Sequence, residues 1–272
     1  MTPNSQSDIQ LTEAEKQEAQ QRSSTTVHVV HEAVRREGEH ELNRTSTALA
    51  WSGLAAGLSM GFSLMLEGVL RARLPDAPWS EIISKVGYSA GFVIVILGRQ
   101  QLFTEDTLTP MLPLLQRRDR ATARNVARLW SVVLISNLLG ALAVAAVLRF
   151  TFAFPEEMRR TFNDISAESV DVRFGLLLLR GIFAGWLLTL LVWVLPFAEH
   201  ARLFVIVGFT WMIGICGFSH VVAGSVEAFF LAFGGTVSWQ HAWLGFVAPA
   251  LIGNVIGGVS LVTAVNHAQV VS

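Results

Sequence analysis

The chain is expected to fold as an all-α polytopic membrane protein, and three observations carry that expectation. Of its 272 residues, 52% are hydrophobic and only 15% charged, and its mean hydropathy is positive; a soluble domain does not have that balance. Six segments approach or exceed the roughly 20 apolar residues that a bilayer core requires: about 47–70, 83–116, 126–150, 172–196, 201–234 and 240–266. The second and fifth are too long for one span, and both are interrupted by polar, glycine-marked stretches, GRQQLFTED at 98–106 and GICGFSH at 214–220.

Residues 1–45 are polar and lack the basic start, apolar core and cleavage site of a signal peptide, so they read as a cytoplasmic tail. Val27, Val30 and Val34 recur at helical spacing and predict a helix from about Thr26 to Asn43. The first span carries GLAAG at 53–57 and ends near Glu67, which is expected at the interface. The second and fifth segments each read as two half-helices joined at membrane depth. Non-helical backbone survives there only when it is buried in protein or lines a cavity. Arg117, Arg118, Arg120, Arg124 and Arg128 precede the third span and should stay cytoplasmic, which with six spans puts both termini on that side. Thr151 to Asp171 reads as a loop, and 269–272 as a short tail closing the transmembrane domain at 46–268. Gly53, Gly57, Gly181 and Gly185 suit close helix contact. Trp51, Trp79, Trp239 and Trp243, near span ends, read as interface anchors in the lipid bilayer. The one cysteine, Cys216, lies in an apolar run and reads as a small buried hydrophobe, with no disulfide or thiol metal site available. A net charge of -1 without a one-sided basic surface sets nucleic acid aside. No catalytic set, metal or cofactor is expected.

Three strings recur in order. GLAAG at 53–57 resembles GIFAG at 181–185, LFTE at 102–105 resembles GFSH at 217–220, and SNLLGA at 136–141 resembles GNVIGG at 253–258. A duplicated three-helix unit follows, and an odd number of spans per unit inverts the second copy.

His220, inside an apolar segment, is costly when charged and is the side chain most easily moved across neutral pH. It either hydrogen-bonds backbone at the break or sits on a pathway. Half-helices beginning near Thr104 and Ser219 would aim free N–H groups and dipole ends at the midplane. Arg99, Glu105 and Asp106 are read as an internal ion-pair group holding the loop, in preference to a charged pore lining. Glu227, two turns beyond His220, is read as a proton relay or as the partner of Arg180.

LFTE in the second span, GFSHVVAGSVE in the fifth and GNVIGG in the sixth resemble the formate/nitrite transporter family, and QQLFTE with GSVE and the terminal AVNHAQ stretch is most similar to its YfdC-like bacterial inner-membrane branch. The resemblance spans about residues 45–268. It implies an aquaporin-like fold of six spans, a homopentamer with one pore per protomer, and passage of small monovalent anions such as formate, nitrite or hydrosulfide. By that resemblance His220 is the central pore histidine and Thr104 the loop threonine facing it. Leu102 and Phe103 match one apolar constriction, Phe92 and Ile213 the other, and Asn254 the last-helix asparagine. Ser219 and Gly224 stand where the family usually has an acidic residue and an asparagine, and Ser169 and Gly185 where it has a lysine and an asparagine. A proton passed from or through His220 would convert a weak-acid anion into its neutral form, which crosses apolar constrictions far more cheaply. The rivals are a water or polyol channel, which lacks the paired Asn-Pro-Ala breaks, and an intramembrane hydrolase, whose Ser219 and His220 point about 100 degrees apart on a helix. A third is a non-conducting relative acting as a sensor or scaffold.

Overall fold

The computed structural model describes residue 12 and residues 27–198 and 200–263. Most of the predicted tail (1–26), the AVNHAQ stretch and 269–272 lie outside the described residues.

All regular structure among the described residues is helical. Helix α1 (Val27–Leu42) forms where the valine spacing predicts it. Its buried Val30 and Val34 cluster with Leu108, Leu112 and Trp193. Thr45 caps α2 (Ser46–Arg73) by accepting from the Ala48 N–H. Helix α3 (Ser80–Leu97) passes through a 3-10 turn at Lys85–Tyr88. After a break come α4 (Met111–Arg117) and α5 (Arg120–Phe150), the latter capped by Asp119 on the Thr122 N–H at 2.8 Å. Helices α6 (Glu156–Val170) and α7 (Phe174–Phe197) follow. A second break separates α8 (Arg202–Ile215) from α9 (Val221–Phe233). Helix α10 runs through π, α and π turns over His241–Val247, Ala248–Val255 and Ile256–Thr263.

Among the described residues, α2, α3, α5, α7 and α10 are long and apolar enough to cross a membrane, while α8 and α9 are shorter apolar helices. Lipid tails are as apolar as leucine, so packing and hydrogen bonds must hold such helices together. Small residues supply the close approach. Helix α2 lies along α5 and α7 along α10. A β-carbon on Gly57 would fall into the Asn137 carbonyl, and one on Gly185 into the Asn254 carbonyl. The absence of an asparagine at 185 thus has a steric cause.

Two expectations are corrected. The segment 151–171 is not a loop: Met158, Phe162, Ile165 and Val170 form the buried stripe of α6, which packs on α9 and α2. Cys216 is exposed, because it falls at the end of α8 where the chain leaves the helix. Glu67, expected at the interface, is buried within the protein at 1% exposure and forms an ion pair with Lys85 at 2.6 Å. The four tryptophans read as anchors are exposed.

The arginine cluster also fixes α1. Arg117 pairs with Glu39 at 2.6 Å, and Arg128 donates to the Leu42 and Arg44 carbonyls. Helix α1 therefore lies on the same side of the bundle as this cluster.

Candidate functional site

Both breaks begin the same way. At the end of α3 the Gln100 N–H donates to the Val95 carbonyl at 2.9 Å and the Arg99 N–H to Ile96 at 3.3 Å. At the end of α8 the Phe218 N–H donates to Ile213 at 3.0 Å and the Gly217 N–H to Gly214 at 3.1 Å. These are Schellman turns, whose pivot residue adopts left-handed φ: 49° at Arg99 and 62° at Gly217. Glycine takes that conformation freely, whereas arginine gives up roughly 1 kcal/mol.

An asparagine then anchors each break. Asn137 accepts from the Phe103 N–H at 2.9 Å and donates to the Gly53 and Gln101 carbonyls at 2.8 and 2.9 Å. Asn254 accepts from the Val221 N–H at 2.9 Å and donates to the Gly181 and Ser219 carbonyls, both at 2.8 Å. Both amides are fully buried. Their donors are committed to backbone, so Asn254 has none left for a permeant. Asn137 was not predicted as a site residue, although its SNLLGA match to GNVIGG was the available signal.

The breaks meet at His220. This residue caps α9: its Nδ1 accepts from the Ala223 N–H at 3.1 Å, and its Nε2 lies 2.7 Å from Thr104 Oγ1. An accepting Nδ1 requires the neutral ring to carry its hydrogen on Nε2, which therefore donates to Thr104. The threonine hydrogen is left to point elsewhere. The Phe92 ring meets the imidazole edge-on, with centroids 5.0 Å apart. Leu102, Phe103 and Ile213 are buried; Phe103 sits edge-on to Trp130.

The expected cradle of free N–H groups is reduced on one side and missing on the other, although α9 does begin beside Ser219. The Val221 and Ala223 amides are taken by Asn254 and His220. No helix begins at Thr104, where the chain turns until α4 starts at Met111.

A cavity of about 160 Å³ reaches the site. His220, Ser219 and Gly224 line it together with Glu67, Lys85, Arg180 and Glu227. The Ser169 hydroxyl faces Glu227, and no ion pair joins Glu227 to Arg180 among the described residues. Gly224 has no room for a side chain, because the Phe246 ring occupies the position of its β-carbon. Gly224→Asn is accordingly expected to cost about 1–3 kcal/mol by overpacking. Adding Phe246→Ala should recover most of that loss in thermal unfolding; a single variant as stable as the parent would refute the steric account.

Arg99, Glu105 and Asp106 do not form the expected ion pairs. The Schellman turn exposes Arg99. Asp106 is buried and faces Glu41, which no sequence signal had singled out, while one Glu105 carboxylate oxygen is buried without a hydrogen-bond partner. Glu41 reaches across from α1 to accept from the Thr109 hydroxyl. Gln101 sits between: with its nitrogen turned to Asp106 it reaches both carboxylate oxygens at 3.2 Å, and its oxygen accepts from Arg44 at 3.0 Å. Burial pushes the Glu41 carboxyl up to about 7, with the Thr109 bond opposing.

Apolar helices long enough to cross a membrane, with two breaks that meet at His220 beside a polar cavity, fit the architecture of a membrane channel or transporter. The family model described as formate/nitrite transporter matches residues 28–268, and the chain belongs to that family. It is 39% identical over 241 residues to the inner membrane protein YfdC of Escherichia coli strain K12, covering 89% of this chain and 78% of that one. The resemblance read from LFTE, GFSHVVAGSVE and GNVIGG therefore holds, as does its YfdC-like branch. Among solved structures, an FNT family ion channel superposes with a TM-score of 0.69 at 17% identity, over 89% of this chain and 98% of that one. A pentameric formate channel with formate bound superposes with a TM-score of 0.62 at 19% identity, over 82% and 94%. At those identities the likeness is one of fold.

Proposed function

We propose that the chain moves small monovalent weak-acid anions of the formate, nitrite and hydrosulfide type, each with a proton, through a pathway centred on Thr104 and His220. The observation carrying this reading is the 2.7 Å contact of Thr104 with His220, which lines a polar cavity, beside buried Phe92, Leu102, Phe103 and Ile213. In this reading residues 46–268 make six passes as two inverted three-helix units in an aquaporin-like arrangement. The matching Schellman turns and asparagine anchors support it. The tail at 1–45 and the C-terminus are cytoplasmic, in a bacterial inner membrane, following the arginine cluster and the YfdC relative. Assembly as a homopentamer follows the pentameric formate channel.

An arriving anion meets the Thr104 hydroxyl, the donor that His220 leaves free. The apolar residues beyond penalise charge far more than a neutral acid. A proton taken up at His220 Nδ1 breaks the cap on Ala223, and Nε2 then releases its proton through the threonine hydroxyl to the anion. Size and weak-acid character are selected together.

The test is uptake of formate, nitrite, hydrosulfide and acetate into proteoliposomes under an inward proton gradient, with His220→Asn and a water-flux control. Saturable, gradient-stimulated uptake is expected, falling about 100-fold in the variant. Intact protein that passes none of these anions would sink the proposal; the water control then separates a neutral-solute channel from a non-conducting scaffold.

A further inference from the structure

Two basic side chains, Lys85 and Arg180, line the cavity, and Arg71 stands beside it through its ion pair with the lining Glu168. Lys85 is neutralised by Glu67 at 2.6 Å and Arg71 by Glu168 at 2.7 Å. Arg180, on α7, has neither an ion pair nor a side-chain hydrogen bond among the described residues, although it lines the same cavity as Glu227. Its backbone is pinned to the second break, since its carbonyl accepts from the Ser219 N–H at 3.4 Å, one residue before His220.

The guanidinium is also oriented. The position that a β-carbon would take on Gly217 lies 3.8 Å from Arg180 Cζ and 4.0 Å from both Nη atoms. A point nearest the central carbon and equidistant from the two nitrogens lies against the flat face of the group. The N–H edge is therefore free to meet a ligand in its own plane. Left-handed φ at Gly217 and a guanidinium resting over it together describe a platform that a side chain at 217 would cover.

We infer that Arg180 is a capture site for anions with two coplanar oxygens, a carboxylate or nitrite, ahead of the Thr104–His220 pair. This names the substrate class of the pathway proposed above and rests on that reading for its place in transport. A guanidinium fork binds two coplanar oxygens through parallel N–H bonds, which neither a lysine ammonium nor a one-atom anion such as hydrosulfide reproduces. Lys85, the other cation lining the cavity, is already paired with Glu67, and Glu81 adds negative charge, so capture is local to Arg180.

The experiment is binding of 13C-formate to the purified full chain in detergent, read from line broadening, with nitrite and hydrosulfide as competitors, alongside flux of the same preparations. Arg180→Lys is expected to weaken formate and nitrite binding about tenfold and to raise KM for both by a similar factor. Hydrosulfide should compete poorly with formate, and its flux should change less than twofold. Equal formate binding in the parent, Arg180→Lys and Arg180→Gln would overturn the assignment, as would no formate binding by the parent. Arg180-dependent binding in a protein without flux would leave the capture site standing and remove the conduction reading.

Discussion

Asn254→Leu is expected to dismantle the second break. The amide satisfies the Val221 N–H and the Ser219 and Gly181 carbonyls, all inside the bundle. Leucine is close in size but makes none of these bonds. A buried polar group left without a partner costs about 1–3 kcal/mol, so the three together cost about 3–9 kcal/mol. His220 lies between two of the tethered residues and would also lose its register with Thr104. Asn137→Leu should act likewise through Gly53, Gln101 and Phe103. Asn254→Asp keeps the acceptor while losing both donors, and should fall between. Thermal unfolding and size-exclusion of the purified proteins measure this, and a leucine variant with the parent's unfolding temperature would show that the tethers are dispensable.

The docking of α1 should loosen as pH rises. Glu41 carries a carboxyl raised from an ordinary value of 4.5 to about 7 when α1 is in place. The docked state holds its proton more tightly than the undocked one. Docking is therefore strongest below about 4.5, weakens as pH rises towards 7 and is constant above it, a total change of about 3 kcal/mol. Asp106, Glu105 and Glu37 share the burden with the countercharge of Arg44. Glu41→Gln should flatten the profile. Spin labels at Val29→Cys and Gln116→Cys in a Cys216→Ser background report the distance; a distribution unchanged between pH 4.5 and 8 would rule the linkage out.

What the sequence disclosed follows the range of each physical signal. Helical spacing in Val30 and Val34 and long apolar runs are local, and they located α1 and the spanning helices. The small-residue strings announced the contacts at Gly57 and Gly185. The Thr104–His220 pairing was accessible only through the resemblance, because its partners are 116 residues apart. Other features failed for identifiable reasons. Helix α6 carries many charges, which masked its stripe at Met158, Phe162 and Ile165. The Glu67–Lys85 pair joins separate helices, so no periodicity in either one points to it. The exposed Arg99 depends on a turn whose pivot is ordinarily glycine, and the residue type pointed elsewhere.

The asparagine anchors also bear on how such a chain can enter a membrane. Every group that Asn137 satisfies lies between residues 53 and 103, and every group that Asn254 satisfies lies between 181 and 221. Each interrupted stretch thus finds its partners within its own half of the chain, and the first can be sealed against lipid before the second has left the ribosome. A contact that unites the halves, Thr104 with His220, can form only once the second half has been made. A nascent half-chain is thereby protected during insertion, while the chemistry at its centre stays unassembled until the whole protein is in place.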